Sequence, residues 1–153
     1  MAAYFFDTSA LAKKYIIEPG SAWVDNLIDP ASGHRLYLAR ITGTEVVAAI
    51  ARRARGGSLS VINAAKGLAN FKHDYTNAFN FVEVDSSLIS SSMLLAEFHT
   101  LRGYDAVQLA AAMQADGARH SSILTPLTFV CADNELLDAA QAEGLLTENP
   151  NNH

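Results

Sequence analysis

Acidic side chains set just after apolar strands, or in the first turn of the helices that follow, are the residues of this chain whose types and positions could do chemistry. Asp7 closes the apolar run Tyr4-Phe5-Phe6 and leads into Thr8, Ser9 and the periodic Ala10, Leu11, Lys14 and Tyr15. Asp133 follows Leu127-Thr128-Phe129-Val130-Cys131-Ala132 in the same way. Glu45 stands in Thr42-Gly43-Thr44-Glu45 ahead of Val46, and Asp105 follows Arg102-Gly103-Tyr104 at the mouth of an Ala-rich run. In an open parallel α/β sheet, ligands bind outside the carboxyl ends of the strands, and all four acids can face that edge. Without a cation they would repel, by about 4 kcal/mol for one pair about 4 Å apart at an effective dielectric of about 20. A divalent cation removes the penalty, and oxygen-only ligands suit a hard ion, Mg²⁺ or Mn²⁺ rather than Zn²⁺. The chemistry open to such a site is hydrolysis of a phosphodiester by a metal-activated water, with no side-chain nucleophile.

Each acid has an ordinary alternative role. Asp7, Asp105 and Asp133 precede helices and can be caps, and Glu45 can complement a helix dipole. Spacing alone does not choose between caps and a metal site. Among the basic residues, Arg52 lies seven positions after Glu45, on nearly the same helix face and about 10 Å further along, where it could hold a phosphate. Arg53 and Arg55 would widen that patch, or stand more simply at a solvated helix C-terminus, and Arg102 fits either a phosphate or a neighbouring acid. His34, His73, His99, His120 and His153 lack metal-ligand spacing. Cys131 is the single cysteine, so it allows no internal disulfide or cysteine cluster and is expected as a small core residue. An aspartyl-phosphate phosphatase built on Asp7 fits poorly, because its customary second acid two residues on is Ser9 here.

These residues must be positioned by alternating strands and helices. Strands are expected at Tyr4–Phe6, Arg35–Ala39, Phe79–Val84 and Leu127–Cys131, with an edge strand at Leu145–Thr147. Helices follow Thr8, Ser21, Glu45, Ser60, Asp85, Asp105 and Glu135, with Gly56-Gly57, Asp116-Gly117 and Gly144 as stops. This alternation implies one α/β domain, residues 1–148, with a central parallel sheet of four to five strands and helices on both faces. A polar tail, residues 149–153, is expected to be disordered. A composition of 50% hydrophobic and 18% charged residues supplies one core and excludes disordered and fibrous classes. The apolar stretches are too short to span a bilayer, so an unexported, cytoplasmic protein is expected. The net charge of −5 argues against a nucleic-acid coat protein but not against an enzyme whose acids gather around a cation.

The order and spacing of several short pieces resemble a PIN-domain protein of the VapC type, a toxin ribonuclease of bacterial toxin–antitoxin pairs. The pieces are Phe6-Asp7-Thr8-Ser9-Ala10-Leu11, Glu18-Pro19-Gly20-Ser21, Thr44-Glu45-Val46, the run Leu101 to Ala110, and Ala132-Asp133 followed by Leu136, Leu137, Ala139, Ala140 and Gly144. The resemblance covers nearly the whole length. It implies that Asp7, Glu45, Asp105 and Asp133 form an acidic quartet that binds Mg²⁺ or Mn²⁺ and hydrolyses RNA. It gives Ser9 a supporting role beside the metal or its water, and Asn134 and Asp138 stand close to the fourth acid. It also implies a homodimer and a small antitoxin partner. Arg52 and Arg102 are the candidate RNA contacts. The alternative from another class is a PIN-fold module that holds RNA or a protein without cutting.

Overall fold

A computed structural model describes residues 1–153. Its strands are β1 (Ala3–Phe6), β2 (Arg35–Ala39), β3 (Asn80–Val82), β4 (Thr128–Val130) and β5 (Leu146–Glu148). Its helices are α1 (Thr8–Tyr15), α2 (Ser21–Ile28), α3 (Thr42–Arg55), α4 (Val61–Asn77), α5 (Ser86–His99), α6 (Gly103–Ser121) and α7 (Asn134–Ala142). All strands pair in parallel in the order β3-β2-β1-β4-β5. The chain winds outward from β1 to β3 and then crosses back to lay β4 on the other side of β1. The reversal leaves a crevice at the carboxyl ends of β1 and β4, the position where open α/β sheets bind ligands.

Strand alternation divides the core in two. Phe5 and Phe129 join Leu109, Ala111 and Leu136 on the face covered by α5, α6 and α7. Phe6 and Val130 join Leu11, Val24, Val46, Ile50 and Phe71 on the face covered by α1 to α4. Both faces of β1 are dry, which is why it reads as an uninterrupted apolar run. On the second face α1 and α4 approach closely, since a Cβ on Gly67 would lie 2.9 Å from the Tyr15 carbonyl oxygen. No helix is long and apolar enough to cross a membrane.

Several local expectations are corrected. Helix α6 does not stop at Asp116-Gly117 but runs to Ser121. Buried Arg119 holds the Thr125 carbonyl at 2.7 Å and the Tyr37 hydroxyl at 3.1 Å, and Asp116 accepts from Leu127 N at 2.9 Å. Those tertiary bonds outweigh the low helix propensity of Gly117. Helix α3 starts at Thr42, so Glu45 lies inside its first turn. Ser21 does not cap α2; Gly20, at φ 87°, occupies that position. The Ser21 hydroxyl instead accepts from Glu18 N and donates to the Lys13 carbonyl, tying α1 to the turn.

The terminal residues are packed rather than disordered. Asn149 is buried and donates to Asn134 Oδ1 at 2.9 Å. Pro150 lies against Gly20, where any Cβ would clash, and the His153 ring stacks on Trp23 at 4.1 Å. Composition alone missed this because two of the three contacts, with Gly20 and Trp23, are made with residues more than a hundred positions earlier in the chain.

Candidate active site

Asp7 leaves the sheet as β1 ends: its N–H still donates to the Val130 carbonyl at 3.1 Å. Its side chain caps α1 by accepting from Ala10 N at 2.9 Å. The Ser9 hydroxyl reaches both carboxylate oxygens, at 2.8 and 2.9 Å, and the Cys131 thiol donates to Oδ2 at 3.2 Å. Only 4% of Asp7 is exposed. Burial pushes its pKa up to about 6 against the pull of those three donors, and the charge of Asp105 adds to the rise. A capping carboxylate in water would move the other way, so the cap and the perturbed acid are the same residue.

The other acids face it from three elements. Glu45, in the first turn of α3, accepts from Gln108 Nε2 at 3.0 Å. Its pKa is raised, first by burial and then by the charge of Asp105, with Gln108 and Thr8 opposing. Asp105, in the first turn of α6, accepts from Arg102 Nε at 3.1 Å. Asp133 caps α7 through Oδ1, 2.9 Å from Glu135 N, and turns Oδ2 toward Arg102 Nη2 at 3.4 Å. Asn134 is engaged with Asn149, and Asp138 is exposed.

Asp7 and Glu45 both feel the charge of Asp105, and Asp105 and Asp133 share Arg102, but the four carboxylates do not close on a single point. Nowhere do three His, Cys, Asp or Glu side chains stand close enough to share an ion. Asp7 is turned inward onto Ser9, Ala10 and Cys131, while the Arg102 guanidinium spans Asp105 and Asp133. The donor set still fits a hard divalent cation. It is made of oxygens, it holds a buried carboxylate beside like charge, and two of its members already draw a positive group between them.

Ser9 also accepts from Ala132 N at 3.0 Å, linking the turns after β1 and β4. Beside it opens a cleft of about 700 Å³ lined by Thr8, Ser9, Lys13, Arg52, Arg53 and Ala132, among others. Lys13 and Arg53 both pair with Glu18. Arg52 lines the cleft outside that cluster. Arg102 lies on the acids instead.

Sequence reasoning missed two residues that touch the acids. Cys131 is buried, as expected of a core residue, yet it is also a donor to Asp7. Burial and the neighbouring Asp7 push its thiol far above the usual range, so it stays neutral. Gln108 carries only a faint signal in the sequence. Its signal was a polar side chain inside Ala106-Val107-Gln108-Leu109-Ala110, one turn beyond Asp105 on the same helix face.

No family model matches the chain. Ribonuclease VapC45 of Mycobacterium tuberculosis is 33% identical over 113 residues, 74% of this chain and 76% of that protein. Among solved structures, a chain of FitAB bound to an IR36 DNA fragment superposes with a TM-score of 0.66 at 17% identity, covering 96% of this chain and 94% of that one. A chain of VapBC2 from Rickettsia felis, bound to a DNA fragment from its promoter, gives 0.61 at 13% identity, covering 96% and 98%. At such identities the superpositions speak for the fold, and the sequence match to VapC45 speaks for the family. Together with the acidic edge at the β1–β4 crevice, they establish that the chain belongs to the VapC-type family of PIN-domain ribonucleases.

Proposed function

We propose that this protein is a toxin endoribonuclease of the cytoplasm, in which Asp7, Glu45, Asp105 and Asp133 hold Mg²⁺ or Mn²⁺ and an RNA phosphodiester is hydrolysed. The observation that carries the reading is Asp7, a buried carboxylate with its pKa near 6 in the field of Asp105, in a chain one-third identical to a named ribonuclease. A bound divalent ion supplies the positive charge and Lewis acidity that hydrolysis of a phosphodiester needs. Ser9 and the Cys131 thiol orient Asp7. Arg52 reaches a phosphate from the cleft, and Arg102 exchanges its carboxylates for a second phosphate when the ion binds. A small antitoxin partner follows from the likeness to chains of VapBC and FitAB, and a homodimer from the family.

The test is cleavage of RNA by purified protein with Mg²⁺ or Mn²⁺. Asp7→Asn and Asp105→Asn are expected to lower the rate at least about a hundredfold, and a chelator is expected to abolish it. Undiminished cleavage in chelator, or full activity in either variant, removes the proposal. Tight RNA binding without cleavage under any metal favours a non-catalytic module instead.

A further inference from the structure

We propose that Gln108 is a positioning residue that locks the acids of this site to one another, an inference that rests on the ribonuclease reading. Its amide is 2% exposed and sits where three acid-bearing elements meet. Nε2 lies 3.0 Å from Glu45 Oε1 and 2.9 Å from Thr42 Oγ1, both on α3, and 3.4 Å from Thr8 Oγ1 at the start of α1, the residue after Asp7. Gln108 itself stands on α6 three residues beyond Asp105. One amide thus joins the elements that carry Asp7, Glu45 and Asp105.

The orientation of that amide separates positioning from ordinary core satisfaction. Gln108 Oε1 is buried and has no hydrogen-bond partner, although buried polar groups are nearly always paired. Flipping the amide would set its oxygen against the Glu45 carboxylate, which when ionised can only accept and has no proton to donate. The fold keeps the NH₂ on Glu45 and leaves a carbonyl without a protein partner. Here one end is given up to hold Glu45 toward Asp105 against their mutual repulsion, which also fixes where the Glu45 oxygens meet an incoming cation.

The experiment compares wild type, Gln108→Leu, Glu45→Gln and the double variant. Three quantities are read: Mn²⁺ affinity by calorimetry without RNA, kcat and KM for RNA cleavage, and Tm in chelator. Gln108→Leu is expected to weaken Mn²⁺ binding and lower kcat by about 10- to 100-fold, the range for residues that orient metal ligands. KM for RNA should stay within about twofold, and the metal-free Tm should fall by no more than a few degrees, since Thr42 and Glu45 lose a donor while an unpaired buried carbonyl is removed. In the Glu45→Gln background the same substitution should add little, because it acts through Glu45. Should the leucine variant not fold, Gln108→Met, which keeps length and flexibility, is read the same way. Wild-type Mn²⁺ affinity and kcat in the variant, or full additivity with Glu45→Gln, overturns the inference while the ribonuclease reading stands. A wild type that neither binds Mn²⁺ nor cleaves RNA overturns both.

Discussion

Asp7 concentrates the opposing demands on this site in one side chain. As a cap it must accept hydrogen bonds, and as a buried acid it resists ionisation until a cation arrives. Its folded pKa near 6 exceeds the ordinary 3.8, so in metal-free protein its contribution to stability is fully present below about pH 4 and is lost as pH rises through about 6. Two pKa units correspond to about 3 kcal/mol. Urea melts in chelator should therefore show wild type losing stability relative to Asp7→Asn between about pH 4 and pH 6.5. Mn²⁺ affinity should run the other way, rising through the same window as the carboxylate becomes free to bind. A wild-type difference flat across that range would show that Asp7 titrates normally.

At the scale of elements, α6 does the most to build the site, because it carries Asp105 and Gln108 at its start and leads into β4 at its end. Its length is held by Arg119, which donates to the Thr125 carbonyl and hydroxyl and to Tyr37. Arg119→Ala removes a buried side chain and its bonds to exposed Thr125 and half-buried Tyr37, with an expected loss of about 1 kcal/mol. The change should appear as a lower urea midpoint, while Mn²⁺ affinity stays at the wild-type value because the acids lie at the far end of the helix. A variant as stable as wild type would mean that Gly117 does not need this anchor.

For the whole molecule, one uncovered apolar surface is the outer side of α5. Its inner side buries Leu88 and Leu95, while Met93, Leu94 and Phe98 stand 67%, 70% and 79% exposed. Contiguous exposed apolar residues of this kind mark association surfaces. We propose a second copy of the chain as its occupant. Phe98→Glu is expected to convert a dimeric mass into a monomeric one in light scattering, with the fold unchanged by circular dichroism. A dimer that survives the substitution places the contact elsewhere.

The sequence by itself determined the alternation of strands and helices and the caps at Ser60 and Asp85, and it offered Asp7, Glu45, Asp105 and Asp133 as acids that could face one sheet edge, with capping left open as their other role. All of these are local, set by an apolar run, a polar stop and the periodicity that follows. Only the tertiary structure decided what those acids touch. The Cys131 thiol meets Asp7 across 124 positions, Gln108 meets Glu45 across 63, and Arg102 meets Asp133 across 31. The same holds for the stacking of His153 on Trp23 and for the run of α6 past Gly117. Such contacts depend on β4 lying against β1 rather than beside β3, a choice made by packing two cores at once, and no stretch of chain shorter than the domain contains it.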